Sequence, residues 1–294
     1  MRLPLFLITW LFSNICIAGI EVEDDFGRAV ILSEPAKRIA ALSPHLAELV
    51  FEAGAGHKLV ATVEHANFPL QVADIPKVGS HNAIDVERLV SYKPDIVFAW
   101  YSGTNKKLLD QLNGLGLTLY YSEPDRLSDI SDTIRDIGKL SDTVEVAHSS
   151  ASNFDESLKS LKEQFSNRRK LDVFIQVWQQ PLITLNGQQL VSRVIELCGG
   201  NNIFADENVI APVINTESLL ARDPEVIIGT AVIKQHADWM NAWLGMSSLL
   251  AVKKDNLYFI KPDLLSRQTS RMLQGAKKMC EYIDIARQKR FLHE

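Results

Sequence analysis

Three histidines occupy positions from which their side chains could act together on a ligand. His45, His65 and His81 each follow a segment that the sequence predicts to be a β-strand. Because the carboxyl ends of parallel strands meet at one edge of a sheet, the three imidazoles could converge there. Imidazole is the commonest side-chain metal ligand, so direct metal coordination is one hypothesis. The alternative is three neutral hydrogen-bonding groups, since no HxH, HExxH or CxxC spacing supports a metal site.

Aromatic and polar side chains follow predicted strands in both halves of the chain. The first half supplies Phe68, Trp100 and Tyr101, and the second supplies Trp178 and Gln180. Aromatic rings cover apolar ring surface, and amides hydrogen-bond to polar groups at the periphery of a ligand. The set therefore suits a large, flat, amphipathic ligand held between two halves of the protein, with core packing as the competing interpretation for each ring.

The motifs of common enzyme classes are missing from the sequence. Ser43 and His45 are too close in the chain to form a nucleophile and base by spacing alone, and no GxSxG, phosphate-loop or dinucleotide-binding motif occurs. We therefore expect binding rather than catalysis. The 31 basic and 36 acidic residues give a net charge of −5 and are scattered, which argues against a nucleic-acid partner.

One structural unit occurs twice. The segment Val86–Phe98 reads VERLVSYKPDIVF and returns as TESLLARDPEVII at Thr216–Ile228. In each copy a Glu opens a short helix, Pro stops it and an apolar strand follows. Two related lobes are predicted, with Glu87 and Glu217 at equivalent places. A carboxylate in a first helical turn also has a simpler explanation, because the helix dipole favours an anion there.

The first 18 residues predict a signal peptide. Arg2 supplies a positive start, an apolar run of about 15 residues follows, and small side chains come at its end. The run is short for a membrane span, which needs about 20 residues. A lipoprotein anchor at Cys16 is an alternative, although Asn14 and Ile15 do not fit it.

Only Cys198 and Cys280 remain after removal of the leader. In an oxidising compartment a lone pair is expected to form a disulfide. Two separate buried thiols are the alternative, and a metal pair is disfavoured because neither cysteine has a His or Cys neighbour at ligand spacing.

Strands and helices alternate along most of the chain, which predicts an α/β fold with parallel sheets. The stretch from about Leu127 to Arg169 differs, since its apolar residues have helical spacing only. A helix of about 25 residues there would form a rigid strut. The predicted domains are a signal peptide at 1–18, an N-terminal lobe at 19–125, a helical connector at 126–169 and a C-terminal lobe at 170–294.

Four features together resemble a known family. They are Arg38–Pro44 (RIAALSP), the two Glu-to-Pro repeats, the helical connector and Leu197–Phe204 (LCGGNNIF). The chain is similar to the helical-backbone (class III) substrate-binding proteins, which deliver cobalamin, ferric siderophores or haem to ABC importers, and most of all to the cobalamin-binding members. This resemblance implies two Rossmann-like lobes joined by a long rigid helix.

The resemblance also implies a function and a set of site residues. We expect a monomeric periplasmic protein that captures cobalamin or a related corrinoid between its lobes, needs no cofactor, and delivers the ligand to a dimeric ABC permease with its ATPase. Glu87 and Glu217 match the family's permease-docking carboxylates. The expected ligand-binding residues are Pro44, His45, His65, Phe68, His81, Trp100, Tyr101, Trp178, Gln180, Ala211, Asp263, Leu264, Leu265, Ser266 and Arg267.

The match departs from the cobalamin-binding pattern in the pocket. His65 replaces a Tyr, His81 and Ala211 replace Trp residues, and Leu264 to Ser266 replace two aromatic residues and a Glu. The pocket is thus less aromatic and richer in imidazole. An alternative follows, in which His45, His65 and His81 bind zinc, ligate haem iron, hold a ferric siderophore or replace the lower axial ligand of cobalamin.

Overall fold

The computed structural model describes residues 19–80, 83–230 and 236–289, and these form two α/β lobes with a helical connector between them. The predicted signal peptide at 1–18 and His81 lie outside the described residues. No helix in the described ranges is both long and apolar enough to cross a membrane.

The N-terminal lobe is built on a four-stranded parallel sheet. Its elements are strands β1 (Ile20–Glu23), β2 (Ala29–Leu32), β3 (Ile39–Ala41), β4 (Leu59–Ala61), β5 (Gly79–Ser80), β6 (Ala83–Ile84), β7 (Ile96–Trp100) and β8 (Leu119–Ser122), and helices α1 (Pro44–Glu52), α2 (Val86–Ser91) and α3 (Lys106–Gly114). The sheet has the order β4-β3-β7-β8, while β1–β2 and β5–β6 are antiparallel hairpins. Strands β3 and β7 are apolar almost throughout because helices cover both faces of the sheet.

The C-terminal lobe repeats this design. After the connector come strands β9 (Leu171–Gln176), β10 (Gly200–Asn202), β11 (Val226–Gly229) and β12 (Leu257–Phe259), with helices α6 (Leu190–Leu197), α7 (Thr216–Arg222), α8 (His236–Leu244), α9 (Leu250–Lys253) and α10 (Met272–Lys289). The strands form a parallel sheet in the order β10-β9-β11-β12. Two lobes with parallel sheets confirm the predicted fold class.

Two helices connect the lobes, α4 (Asp129–Leu140) and α5 (Val144–Phe165). Helix α5 has 22 residues, slightly fewer than predicted, and is about 33 Å long. Its inward side chains, including Ala151 and Phe154, belong to one continuous apolar core that also contains Ile39 of the N-terminal sheet and Val173 of the C-terminal sheet. The connector is therefore part of the core rather than a free linker.

The duplicated unit forms the same capped helix followed by a strand in both copies, with a six-residue helix in the first and a seven-residue helix in the second. Asp85 caps α2 by accepting from the Arg88 N–H at 2.9 Å, and Asn215 caps α7 by accepting from the Ser218 N–H at 2.8 Å. Each helix leads into a buried strand, β7 or β11, at an inner position of its sheet. The short polar residue before each repeat fixes where its helix starts.

Cys198 and Cys280 form a disulfide, as predicted. Cys198 ends α6 and Cys280 lies within α10, and both side chains are fully buried. The bond joins segments 82 residues apart within the C-terminal lobe. The disulfide therefore stabilises the folded protein mainly by restricting the conformations of the unfolded chain.

We expect the Cys198→Ser/Cys280→Ser double variant to lose about 2–4 kcal/mol of unfolding free energy, because the unfolded chain regains the freedom of a long loop. Urea denaturation measures the loss. Mass spectrometry after alkylation is the control: both cysteines of the native protein should stay unmodified until it is reduced, and ready alkylation would contradict the disulfide.

Candidate functional site

A buried carboxylate joins the two lobes. Glu48 on α1 is fully buried, and its Oε1 lies 2.5 Å from Arg267 Nη1 and 3.3 Å from Arg271 Nη1 of the C-terminal lobe. The Thr269 hydroxyl donates to Glu48 Oε2 at 3.2 Å. A buried charge needs such partners, because an unpaired carboxylate away from water is costly. The contact fixes the segment before α10 against the start of the N-terminal lobe.

A second carboxylate lies one helical turn further along α1. Glu52 Oε2 accepts hydrogen bonds from the Ser270 hydroxyl at 2.6 Å and the Ser270 N–H at 3.4 Å. Burial raises the pKa of Glu52 to about 7, against the lowering effect of these hydrogen bonds. Glu48 adds to the increase and Arg271 opposes it. Glu52 therefore titrates near neutral pH at the junction of the lobes.

Arg267 also donates hydrogen bonds to groups of the N-terminal lobe other than Glu48. Its Nη1 donates to Asn67 Oδ1 at 2.8 Å and its Nη2 donates to the His65 carbonyl at 3.1 Å. Asp263 of its own lobe lies 3.6 Å from Nε. These contacts leave the side chain only 11% exposed, so Arg267 mainly holds the two lobes together at this junction.

His45 lies next to this network in a mainly apolar setting. It is buried in the first turn of α1, its ring meets Trp100 edge-on at 5.5 Å between centroids, and its Nδ1 is 3.2 Å from the Ser43 hydroxyl. Burial lowers the pKa of His45 to about 3, and the positive charge of Arg267 acts in the same direction. The imidazole is therefore neutral across the physiological range.

Three of the predicted aromatic residues keep large exposed faces. Phe68 is 42% exposed, Tyr101 36% and Trp178 48%. Arg271 lies over the Phe68 ring at 4.3 Å from its centroid, which places Phe68 where the lobes meet. Trp178 follows β9 in the other lobe, and its Nε1 donates to the Gln180 carbonyl at 3.0 Å. Half-exposed rings held by such contacts are available to cover a ligand.

The other predicted site residues differ in their accessibility. Gln180, Ala211 and Ser266 are exposed and Pro44 is partly exposed. Leu264 and Leu265 instead belong to the apolar core, Leu265 with 1% exposure.

The histidines do not form a cluster among the described residues. His65 is exposed and has a left-handed backbone with φ of 64°. No group of three His, Cys, Asp or Glu side chains within residues 19–80, 83–230 and 236–289 could hold a metal ion. His81 is outside those ranges, so metal ligation by the three histidines stays a prediction.

Four residues of the junction were not predicted from the sequence, namely Glu48, Glu52, Thr269 and Arg271. A signal for the acidic pair was present, because two carboxylates four residues apart interrupt an otherwise apolar helix and lie on its buried face. Their partners lie more than 200 positions later and have no local signature.

The fold and the junction between the lobes define a class of protein, a two-lobed receptor whose ligand site lies at the carboxyl ends of parallel strands. Residues 39–264 match the model of a family described as periplasmic binding protein. The chain belongs to this family.

Several relatives in the family carry a more specific name. The vitamin B12-binding protein of Vibrio cholerae is 34% identical over 252 residues, covering 86% of this chain and 91% of the relative. That of Vibrio campbellii is 32% identical over 269 residues, covering 90% and 96%. The crystal structure of the periplasmic vitamin B12 binding protein BtuF of Vibrio cholerae superposes with a TM-score of 0.80, at 35% identity over 86% of this chain and 98% of that one.

A haem-binding neighbour shares the fold alone. The periplasmic heme-binding protein RhuT from Roseiflexus sp. RS-1 has a TM-score of 0.72 at 17% identity, covering 85% of this chain and 99% of that one.

We expect Glu52→Gln to stabilise the protein above neutral pH. A carboxyl whose pKa is raised from 4.5 to about 7 on folding contributes stability that is complete below pH 4.5 and is lost as pH rises through 7. Gln keeps the acceptor for Ser270 without ionising. Urea unfolding should show an advantage of the variant that grows by about 1–3 kcal/mol between pH 5 and pH 8.

Glu163→Gln, at an exposed position of α5, is the matched control and should show no such growth. An advantage of Glu52→Gln that is the same at both pH values would contradict the titration of Glu52 at the junction.

Proposed function

We propose that this protein captures cobalamin or a related corrinoid between its two lobes and delivers it to an inner-membrane ABC transporter. The protein acts by binding rather than by catalysis. It is exported to the periplasm by a signal peptide at residues 1–18 and works as a monomer.

The observation that carries this proposal is the set of half-exposed aromatic faces beside a polar junction. Phe68 and Tyr101 come from one lobe and Trp178 from the other. A corrinoid presents a broad apolar ring with amide groups around it, so aromatic faces and hydrogen-bonding groups are both needed. The ion pair of Asp263 and Arg267 supplies polar groups at the same junction. The relatives named vitamin B12-binding protein support the same ligand class.

The neutral state of His45 fits a ligand held without ionic pairing to that residue. A neutral imidazole next to Trp100 offers one donor and one acceptor, which suits a peripheral amide. It also keeps a lone pair that a metal centre could use, so haem, a ferric siderophore or zinc is the competing ligand class.

We expect the mature protein to bind cyanocobalamin with one-to-one stoichiometry in calorimetric titration, and Trp178→Ala to weaken binding about tenfold or more because the ligand loses a preformed aromatic face. Parallel titrations with dicyanocobinamide, haemin and zinc complete the test. Leu115→Ala, at an exposed apolar position after α3, should leave the affinity unchanged.

The titrations with the other ligands test what the site recognises. Equal affinity for cobalamin and cobinamide would mean that the protein does not recognise the lower base of cobalamin. Binding of haemin or zinc without any corrinoid would overturn the proposal and assign the site to its histidines.

Glu87 and Glu217 are the proposed docking residues for the permease. Each is exposed and occupies the second position of its helix, α2 or α7, behind an equivalent polar cap. Two equivalent carboxylates, one on each lobe, suit a dimeric permease whose halves present the same basic surface twice. Exposed charges of this kind act on association rate and specificity more than on folding.

We expect the Glu87→Arg/Glu217→Arg double variant to lose binding to the permease–ATPase complex in vesicles while keeping the affinity for cyanocobalamin, because the reversed charges repel a basic docking surface. Surface plasmon resonance and calorimetry measure the two properties.

Glu145→Arg is the matched control, since Glu145 is also exposed in the first turn of a helix but belongs to the connector. Permease binding that survives the double reversal would contradict the docking assignment. Loss of corrinoid binding would instead place the two glutamates in the ligand site.

A further inference from the structure

The tip of the β1–β2 hairpin is held in place by several polar contacts. The Asp24 side chain is fully buried and accepts from the N–H groups of Phe26 at 3.0 Å, Arg28 at 3.1 Å and Tyr121 at 3.3 Å. It also accepts from Arg28 Nε at 2.9 Å and Nη2 at 2.7 Å. A buried carboxylate with five donors holds its surroundings rigidly. This hairpin precedes residues 39–264, which match the family model.

The tip is fastened to the carboxyl end of β8. The Asp25 N–H donates to the Tyr121 carbonyl at 3.2 Å, and Asp25 Oδ2 accepts from the Glu123 N–H at 2.5 Å. The Arg28 guanidinium lies 3.6 Å from the centre of the Tyr121 ring. The carboxyl ends of the strands form the edge of the sheet at which the ligand site lies.

The Phe26 ring takes part in the packing at the tip, since it meets the Tyr121 ring edge-on with 6.4 Å between centroids, but much of it stays open. Phe26 is 47% exposed, and its ring lies 4.4 Å from that of Tyr101 at a tilt of 51°. Tyr101 is itself 36% exposed. The Phe26 and Tyr101 rings form an aromatic pair that is open to solvent. The hairpin tip that carries Phe26 is held rigidly by the contacts of Asp24 and Asp25.

The pair is continuous with the candidate site. Tyr101 follows Trp100, whose ring contacts His45. The Nε1 of Trp100 donates to the Glu123 carboxylate at 3.4 Å, and the N–H of Glu123 is the group that Asp25 accepts from. A single chain of contacts therefore runs from the hairpin tip to the buried imidazole.

We propose that Phe26 extends the ligand-binding surface beyond Tyr101 and contacts the apolar edge of the bound corrinoid. This inference rests on the proposed function. A preformed aromatic face loses little conformational entropy when a ligand packs on it, so its contribution to affinity is not offset by ordering. The polar contacts of Asp24 and Asp25 fasten the tip, and the packing of the Phe26 ring against Tyr101 and Tyr121 still leaves the residue 47% exposed.

The test is the affinity of the mature protein and three variants for cyanocobalamin and dicyanocobinamide, by calorimetry and stopped-flow. Phe26→Ala should raise the dissociation constant about three- to tenfold, mainly through faster dissociation. Phe26→Tyr keeps the ring and should stay within about twofold of the wild type. Ile31→Ala changes another exposed apolar residue of the same hairpin, on β2, and should have no effect.

The outcomes separate the two claims. Equal affinity of the wild type and Phe26→Ala for both corrinoids would overturn this inference and leave the proposed function intact. Absence of corrinoid binding by the wild type would overturn the proposed function and this inference with it. An equal loss of affinity in Phe26→Ala and Ile31→Ala would mean that the hairpin affects binding only through its own folding. That result would also overturn the proposed contact between Phe26 and the corrinoid.

Discussion

The buried carboxylate of Glu48 is the constraint on which the relation between the lobes depends. It lies in the N-terminal lobe, whereas its charged partners Arg267 and Arg271 come from the C-terminal lobe. Separating the lobes at this point would break all of these charge-assisted contacts at once. The apolar core that runs from Ile39 through α5 to Val173 resists the same movement. Both features favour small lobe movements over wide hinge closure.

This constraint also determines the character of the ligand site. Burial of His45, together with the positive charge of Arg267, lowers the pKa of the imidazole and keeps it neutral, so that part of the proposed site offers a ligand no charge to pair with. Carbonyl and amide oxygens of His65 and Asn67 occupy most of the guanidinium. The half-exposed rings of Phe68, Tyr101 and Trp178 add preformed aromatic surface to the proposed site. Such a site gains affinity by avoiding the entropy cost of ordering its own groups.

The duplicated unit presents one exposed carboxylate on each lobe. Each copy sets a carboxylate at the second position of a short capped helix, and a buried strand behind the helix holds that position within its sheet. The caps Asp85 and Asn215 define the helix starts independently of the ligand. The proposed docking by these carboxylates can thus be tested separately from the proposed ligand binding.

Features that depend on neighbouring residues could be predicted from the sequence alone. Alternating apolar strands and helices determined two parallel sheets, the Glu-to-Pro repeats determined two related lobes, and the two cysteines of the mature chain determined the disulfide. The domain limits and the roles of the site residues remain predictions.

The tertiary structure decided which of the candidate residues meet. The partners of Glu48 lie more than 200 positions away. Phe26 meets Tyr101 only because the hairpin folds onto the end of β8. His65 turns its side chain to solvent while its carbonyl binds Arg267. Periodicity and capping are local and can be read from spacing, but contacts between distant loops depend on where the packed lobes place them, and no local pattern encodes that.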